Sequence, residues 1–138
     1  MITNKKIVIT GGSSGIGKSI LEILAAAPSH TIISASRRAI ENICFGENVI
    51  LFDCDLSTRE GADAIFDKIA QEFGKADILI ANAGAPYYEK YDYVDYDRIE
   101  NIFRLNTITP IYTYTKYLQQ LNGTSGHLVY TISAIGEM

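Results

Sequence analysis

Thr10-Gly-Gly-Ser-Ser-Gly-Ile-Gly17 is the stretch that decides how this chain of 138 residues folds. It stands between a β-branched run, Lys6 to Thr10 (KIVIT), and a helical pattern from Gly15 to Ala27 that Pro28 closes. Glycine lets a ligand approach the backbone, and a helix N-terminus presents free N–H groups. The helix is predicted to bury one stripe, formed by Ile16, Ile20, Ile23, Leu24 and Ala27. A strand, a glycine-rich turn and a helix in this order indicate an anion-binding βα unit.

Strand and helix patterns alternate along the rest of the chain. Strands are predicted at Thr31–Ser36, Asn48–Phe52, Asp77–Ala81 and His127–Ser133. Continuous apolar runs such as DILIA suit parallel strands that are covered on both faces. Residues 37–47 leave room only for a short helix or an irregular turn. The order βαβ(α)βαβαβ predicts a doubly wound parallel α/β sheet.

Two helical segments separate the later strands. The first is predicted to open at a capping box, Ser57-x-x-Glu60, to end at Gly74, and to bury Ala62, Ile65, Phe66, Ile69 and Phe73. The second runs from about Asp97 to Leu121, is interrupted near Pro110, and ends at Asn122-Gly123. Before it, residues 85–96 form either a loop whose tyrosines pack locally or a contact with a substrate or subunit.

Composition limits the function classes. A chain of 138 residues with 47% apolar residues is long enough for one domain, spanning residues 1–138, and too short for two. A net charge of −4 argues against nucleic-acid binding, and no apolar run reaches the 18 residues of a membrane span. The start shows no signal peptide, so a cytoplasmic location with Cys44 and Cys54 reduced is expected. The lone histidines, His30 and His127, have no metal-ligand spacing, so no metal is predicted.

The glycine-rich stretch also satisfies a rival pattern. Gly12-x4-Gly17-Lys18-Ser19 matches the P-loop of nucleoside triphosphatases, in which lysine reaches the phosphates and serine holds magnesium. The strand ending at Asp53 offers an acidic residue for the metal. A P-loop NTPase is therefore an alternative from the residues alone.

The remaining motifs favour another family. Thr-Gly-x3-Gly-x-Gly, Asp55-Leu56 after the third strand, Asn82-Ala83-Gly84 after the fourth, Asn106, and Ser133-x-x-Gly136 after the fifth occur in order. Together they resemble the classical short-chain dehydrogenase/reductase family, and the likeness covers essentially the whole chain. The resemblance implies a Rossmann fold and an oxidoreductase that acts on a small-molecule carbonyl or alcohol substrate.

The resemblance also implies roles for individual residues. The turn beneath the cofactor pyrophosphate would comprise Gly11, Ser13, Ser14, Gly15, Ile16 and Gly17. Asp55 and Leu56 would border the adenine, and Asn82, Ala83 and Gly84 would stabilise the sheet and lie against the adenosine ribose. Ser133 matches the catalytic serine that binds the substrate oxygen, and Asn106 matches the asparagine whose backbone positions a water in the proton relay.

The end of the second strand predicts the choice of cofactor. An NAD site has a carboxylate there for the ribose hydroxyls, whereas this chain has Ser36, Arg37 and Arg38. A carboxylate would repel a 2′-phosphate, while a guanidinium binds it with two parallel hydrogen bonds. NADP is therefore predicted in preference to NAD.

The family pattern breaks at the general acid. The family uses a Tyr-x-x-x-Lys pair about a dozen residues after the serine, but the pair in this sequence, Tyr112 and Lys116, precedes Ser133. We therefore expect an inactive, C-terminally incomplete part of an NADPH-dependent reductase that would form homo-oligomers when full length. Its fifth strand would then be an exposed hydrophobic edge. A non-catalytic dinucleotide-binding module is the alternative.

Overall fold

Five parallel strands form the centre of the structure, a computed structural model that describes residues 3–39, 45–86 and 93–133. β1 (Lys6–Thr10) lies between β2 (Thr31–Ser36) and β4 (Ile78–Ala81). β3 (Val49–Asp53) and β5 (His127–Tyr130) are the outer strands. Because every pairing is parallel, all the strands end at the same edge of the sheet. The predicted doubly wound α/β class is confirmed.

Helices cover both faces of the sheet. α1 (Gly15–Ala25) packs on one face, and α2 (Arg59–Phe73) and α4 (Thr109–Leu121) pack on the other. Side chains alternate along β1, so Ile7 and Ile9 face α1 while Val8 faces α2 and α4. The predicted buried positions of α2 are confirmed. Four of them, Ile65, Phe66, Ile69 and Phe73, join Tyr117 and Leu121 of α4 in one cluster.

A π-helical turn, Arg104–Ile108, joins α3 (Tyr96–Phe103) to α4. The predicted interruption thus lies just before Pro110. Proline has no N–H for the carbonyl four residues earlier, that of Asn106, and its ring crowds that carbonyl. The wider turn at this point relieves the crowding.

Two details of the predicted helices are wrong. Ile16 and Ile23 are not in the buried stripe of α1 because they are 65% and 74% exposed, and the helix instead buries Gly17 and Leu21. The N-cap of α2 is Thr58 rather than Ser57. Thr58 Oγ1 accepts a hydrogen bond from the Gly61 amide at 3.0 Å, while the Ser57 hydroxyl donates to Asp55 at 2.7 Å.

The element ends differ from the predicted ones by a few residues. β3 is shifted by one residue, β4 begins at Ile78 rather than Asp77, and α1 ends at Ala25. β5 ends at Tyr130, three residues before Ser133. As predicted, β5 is an outer strand with exposed apolar side chains, since Val129 and Tyr130 are 47% and 39% exposed.

Some predictions fall on residues outside the described ranges. These are the state of Cys44, part of the predicted helix or turn at 37–47 (residues 40–44), half of the tyrosine-rich stretch (residues 87–92), and Gly136. Within the described ranges, no helix is long and apolar enough to span a membrane. The same residues contain no cluster of three or more His, Cys, Asp or Glu side chains suited to a metal ion.

Candidate functional site

A groove opens at the carboxyl edge of the sheet, where the strand order reverses. β1 connects through α1 to β2 on one side, while β4 lies on the other side of β1. Such a switch point is where doubly wound sheets bind ligands. The groove has a volume of about 90 Å³. It is lined by Gly11, Ser13, Ser36, Arg37, Arg38, Cys54, Asp55, Leu56, Ala83, Gly84 and Leu105.

The structure therefore brings together nine of the predicted cofactor-binding residues. The other five, Ser14, Gly15, Ile16, Gly17 and Asn82, lie next to the groove in the glycine-rich turn, the first turn of α1 and the end of β4. Cys54 and Leu105 line the groove without having been predicted to do so. Their signals in the sequence are weak, since one directly follows the third strand and the other precedes Asn106.

Close backbone approach explains the glycines of the turn. Gly11 has a φ of +71°, and a Cβ at Gly17 would collide with the Gly11 carbonyl oxygen and the Asn82 side chain. Asn82 Nδ2 donates to the Gly11 carbonyl at 3.3 Å. The start of α1 is thus held directly against the end of β1, with the helix N-terminus at the groove.

Thr10 connects the ends of β1 and β4, a role that the sequence did not reveal. Its buried hydroxyl oxygen accepts hydrogen bonds from the backbone amides of Asn82 and Ala83, both at 3.0 Å. The partners are 72 and 73 residues away. These bonds fix the two strand ends relative to each other.

A hydroxyl without a partner lies at the end of β2. Ser36 is 7% exposed, and its Oγ makes no hydrogen bond. The carbonyl of Ser36 accepts from the Cys54 amide at 3.0 Å, which places the end of β3 beside it. Buried polar atoms are normally paired, so this hydroxyl in the wall of a groove suggests a ligand partner.

The surroundings of the residues after β3 determine whether Asp55 and Cys54 are protonated. Burial alone would raise the pKa of Asp55, but hydrogen bonds from the hydroxyl and amide of Ser57, together with the charge of Arg37, lower it. Burial and the carboxylates of Asp55 and Asp53 raise the pKa of the Cys54 thiol to about 12. Asp55 is therefore an anion at neutral pH, and Cys54 is an unreactive thiol.

Asn106 holds the chain that leaves β4. Its Oδ1 accepts from the Ala85 amide at 2.9 Å, and its Nδ2 donates to the Ala85 carbonyl at 2.8 Å. The π-helical turn presents the side chain to this segment. Ser133 is exposed and lies three residues beyond β5, at the same edge of the sheet as the groove.

The pair Tyr112 and Lys116 faces away from the groove. The Tyr112 hydroxyl donates to Asp63 Oδ1 at 2.6 Å, and Lys116 Nζ lies 3.0 Å from the same oxygen. Asp63 belongs to α2, so this pair serves the contact between α2 and α4.

Lys18 and Ser19 do not have the arrangement of a P-loop. The helix already begins at Gly15, so both residues lie within α1. The Ser19 hydroxyl donates to the Gly15 carbonyl at 3.4 Å, inside the helix. A magnesium-binding serine would instead point at the phosphates from the helix start.

Comparison with known proteins gives one consistent result. The family model described as short chain dehydrogenase matches residues 5–138. The chain is 31% identical to an uncharacterized oxidoreductase, YmfI, of Bacillus subtilis, across 97% of this chain and 58% of that protein. It is 28% identical to 3beta-hydroxysteroid dehydrogenase 2 of Eggerthella lenta, across 99% of this chain and 56% of that protein.

Solved structures agree in fold. L-sorbose reductase from Gluconobacter frateurii, complexed with NADPH and L-sorbose, superimposes with a TM-score of 0.83 at 28% identity. That match covers 96% of this chain and 54% of the reductase chain. A short chain dehydrogenase from Burkholderia cenocepacia in complex with NADP gives 0.84 at 26% identity, covering 98% of this chain and 58% of the other. The chain thus spans a little over half the length of these proteins.

Proposed function

Because the chain belongs to the short chain dehydrogenase family, we propose that it is the NADP(H)-binding part of an oxidoreductase. The reaction proposed for the whole protein is hydride transfer between NADPH and a small-molecule carbonyl or alcohol. The choice of cofactor rests on the residues at the end of β2. There, the unpaired Ser36 hydroxyl and the side chains of Arg37 and Arg38 line the groove, and no carboxylate follows the strand. The NADPH and NADP complexes of the related structures support the same choice.

The residues present fit a dinucleotide. The glycine-rich turn and the N-terminus of α1 suit the pyrophosphate, because α1 begins at Gly15, next to the groove, and the first N–H groups of a helix have no acceptor within it. Arg37 and Ser36 would bind the 2′-phosphate, the first through its guanidinium and the second through its unpaired hydroxyl. Asp55 and Leu56 would border the adenine.

Two further residues are proposed to act on the substrate side. NADPH, when bound, supplies the hydride. The Ser133 hydroxyl would hydrogen-bond the oxygen of the substrate carbonyl and hold it in place. The Asn106 carbonyl, to which Pro110 cannot donate, would position a water for proton transfer, while its side chain holds Ala85.

A non-catalytic dinucleotide-binding module is the second candidate. The one Tyr-x-x-x-Lys pair in the sequence, Tyr112 and Lys116, is bound to Asp63 rather than placed at the groove. We therefore expect these 138 residues by themselves to bind NADPH without oxidising it when a carbonyl substrate is added. A cytoplasmic location and assembly into homo-oligomers stay predictions.

Replacing Arg37 by Glu tests the choice of cofactor. Titration with NADP⁺ and NAD⁺ by isothermal calorimetry is expected to show a loss of NADP⁺ affinity of about tenfold or more, because a bidentate ion pair becomes a repulsion. NAD⁺ affinity should hardly change. Arg98→Glu, an exposed arginine of α3, is the matched control. An unchanged ratio of the two affinities in Arg37→Glu would overturn the assignment of NADP.

A further inference from the structure

A second cleft lies between the start of α2 and the π-helical turn with α4. Its volume is about 500 Å³, well above that of the groove and within the usual range for small-molecule sites. Its lining residues are Ser57, Thr58, Arg59, Glu60, Ala62, Arg104, Ile108, Thr109 and Tyr112. None of them belongs to the predicted dinucleotide site.

The cleft and the groove lie on opposite sides of one turn. Asp55 and Leu56 line the groove, whereas the next two residues, Ser57 and Thr58, line the cleft. Thr109, in the wall of the cleft, donates a short hydrogen bond to the Leu56 carbonyl, and the two linings have no residue in common. A molecule in the cleft would therefore not compete for the space of a dinucleotide.

The hydroxyl groups of the cleft are already in use. Thr58 caps α2, Thr109 bonds Leu56, and the Tyr112 hydroxyl donates to Asp63. Ala62, Ile108 and the ring of Tyr112 give the cleft a predominantly apolar wall. An occupant would consequently bury an apolar body and find few neutral hydrogen-bonding partners.

Two arginines give the cleft its polar specificity. Arg104 Nη2 lies 2.8 Å from Glu100, and Arg59 Nε lies 3.6 Å from Asp63. These exposed pairs are weak, and a guanidinium has five N–H donors, so a further carboxylate can bind each arginine. Glu60 in the same lining disfavours a second negative charge on the occupant.

We propose that this cleft is a second binding site, for a small molecule with a flat apolar body and a single carboxylate. The site is separate from the dinucleotide groove, and it does not depend on the proposed oxidoreductase function. Its recognition elements are the apolar wall around Ile108 and the guanidinium groups of Arg59 and Arg104.

The test is a titration of the ¹⁵N-labelled chain with 2-naphthoate, followed by amide chemical shifts with and without saturating NADPH. We expect shifts at residues 57–60 and 104–112, and an affinity that NADPH does not abolish. The neutral analogue 2-naphthamide should bind at least threefold more weakly. Equal binding of the two compounds, displacement of naphthoate by NADPH, or shifts confined to other surfaces would overturn the proposal.

Charge variants sharpen the result. Arg59→Gln and Arg104→Gln should each weaken 2-naphthoate binding about two- to fivefold, the size typical of an exposed ion pair, while Glu60→Gln should strengthen it. Arg98→Gln on α3 is the matched control and should have no effect. All four side chains are exposed, so the fold should survive, which circular dichroism checks. Unchanged affinity in both cleft arginine variants would refute the proposal. It would also be refuted if the amide shifts of the cleft changed with protein concentration in the absence of 2-naphthoate, because a second copy of the chain would then fill the cleft.

Discussion

Ser36→Ala is expected to stabilise the nucleotide-free protein and to weaken nucleotide binding. The Ser36 hydroxyl is buried at 7% exposure and has no partner. A buried hydroxyl without a hydrogen bond costs about 1–3 kcal/mol relative to water. Alanine removes that polar atom and loses almost no packing, so the free energy of unfolding should rise by about 1 kcal/mol.

The expected effect of Ser36→Ala on nucleotide affinity is a loss, whereas its effect on stability is a gain. If the hydroxyl donates to an oxygen of the cofactor phosphate, the variant loses a hydrogen bond to a charged group, worth about 1.5 kcal/mol. That loss corresponds to about a tenfold weaker affinity for NADP⁺. The opposite signs together distinguish a hydroxyl that serves the ligand from one that serves the fold.

Thr10→Val is the matched control. It also removes one buried hydroxyl near the same groove, but this hydroxyl accepts hydrogen bonds from the amides of Asn82 and Ala83. The change leaves two backbone donors without their partner, so it should destabilise the protein by about 2–4 kcal/mol.

Urea unfolding followed by circular dichroism measures the stability of all three proteins. With an m value of about 2 kcal/mol per molar urea, the midpoint should rise by about 0.5 M in Ser36→Ala and fall by more than 1 M in Thr10→Val. Calorimetric titration with NADP⁺ measures the affinity. A lower midpoint in Ser36→Ala together with unchanged NADP⁺ affinity would refute the reasoning.

Three further predictions concern the groove and the contact between α2 and α4. Gly17→Ala should lower the free energy of unfolding by about 2–3 kcal/mol, because the added methyl group collides with the Gly11 carbonyl; a loss below about 0.5 kcal/mol in urea unfolding would contradict it. Asn106→Leu loses both hydrogen bonds to Ala85 and should lower the free energy of unfolding by about 1–2 kcal/mol in the same assay. The stability of Asn106→Asp should be intermediate, because aspartate keeps the acceptor oxygen. Equal stability of Asn106→Leu and the unsubstituted protein would refute this. The hydrogen bond from Tyr112 and the charge of Lys116 lower the pKa of Asp63. The ionised carboxylate therefore stabilises the folded protein above about pH 4, and this contribution is lost as the pH falls through the folded-state pKa. The stability difference between the unsubstituted protein and Asp63→Asn should therefore shrink between pH 6 and pH 3, and a constant difference would argue against the network.

The strand pattern could be predicted from local sequence alone. β1 and β2 have the predicted bounds because each is an apolar, β-branched run that a glycine or two arginines end. The residues that follow the strands could be predicted as a set for a related reason. In a parallel sheet the carboxyl ends lie at one edge, so Gly11, Ser36 and Asp55 reach one groove despite their separation in the chain.

Local periodicity did not determine which face of α1 is buried. Ile16 and Ile23 fit a helical stripe, but α1 approaches the sheet through Gly17, where the missing side chain permits contact with Gly11. Two adjacent hydroxyl residues, Ser57 and Thr58, each suit an N-cap, and only the position of the Asp55 carboxylate decides between them.

The sequence by itself determined the family, the doubly wound sheet and the set of residues at its carboxyl edge, because these depend on local patterns in a fixed order. Only the tertiary structure decided that Thr10 joins the ends of β1 and β4, that Tyr112 and Lys116 contact Asp63, and that the Ser36 hydroxyl has no hydrogen-bond partner. The physical reason is sequence separation. The contacts of Thr10 and Tyr112 join residues 49 to 73 positions apart, and no local pattern encodes which distant polar atoms meet.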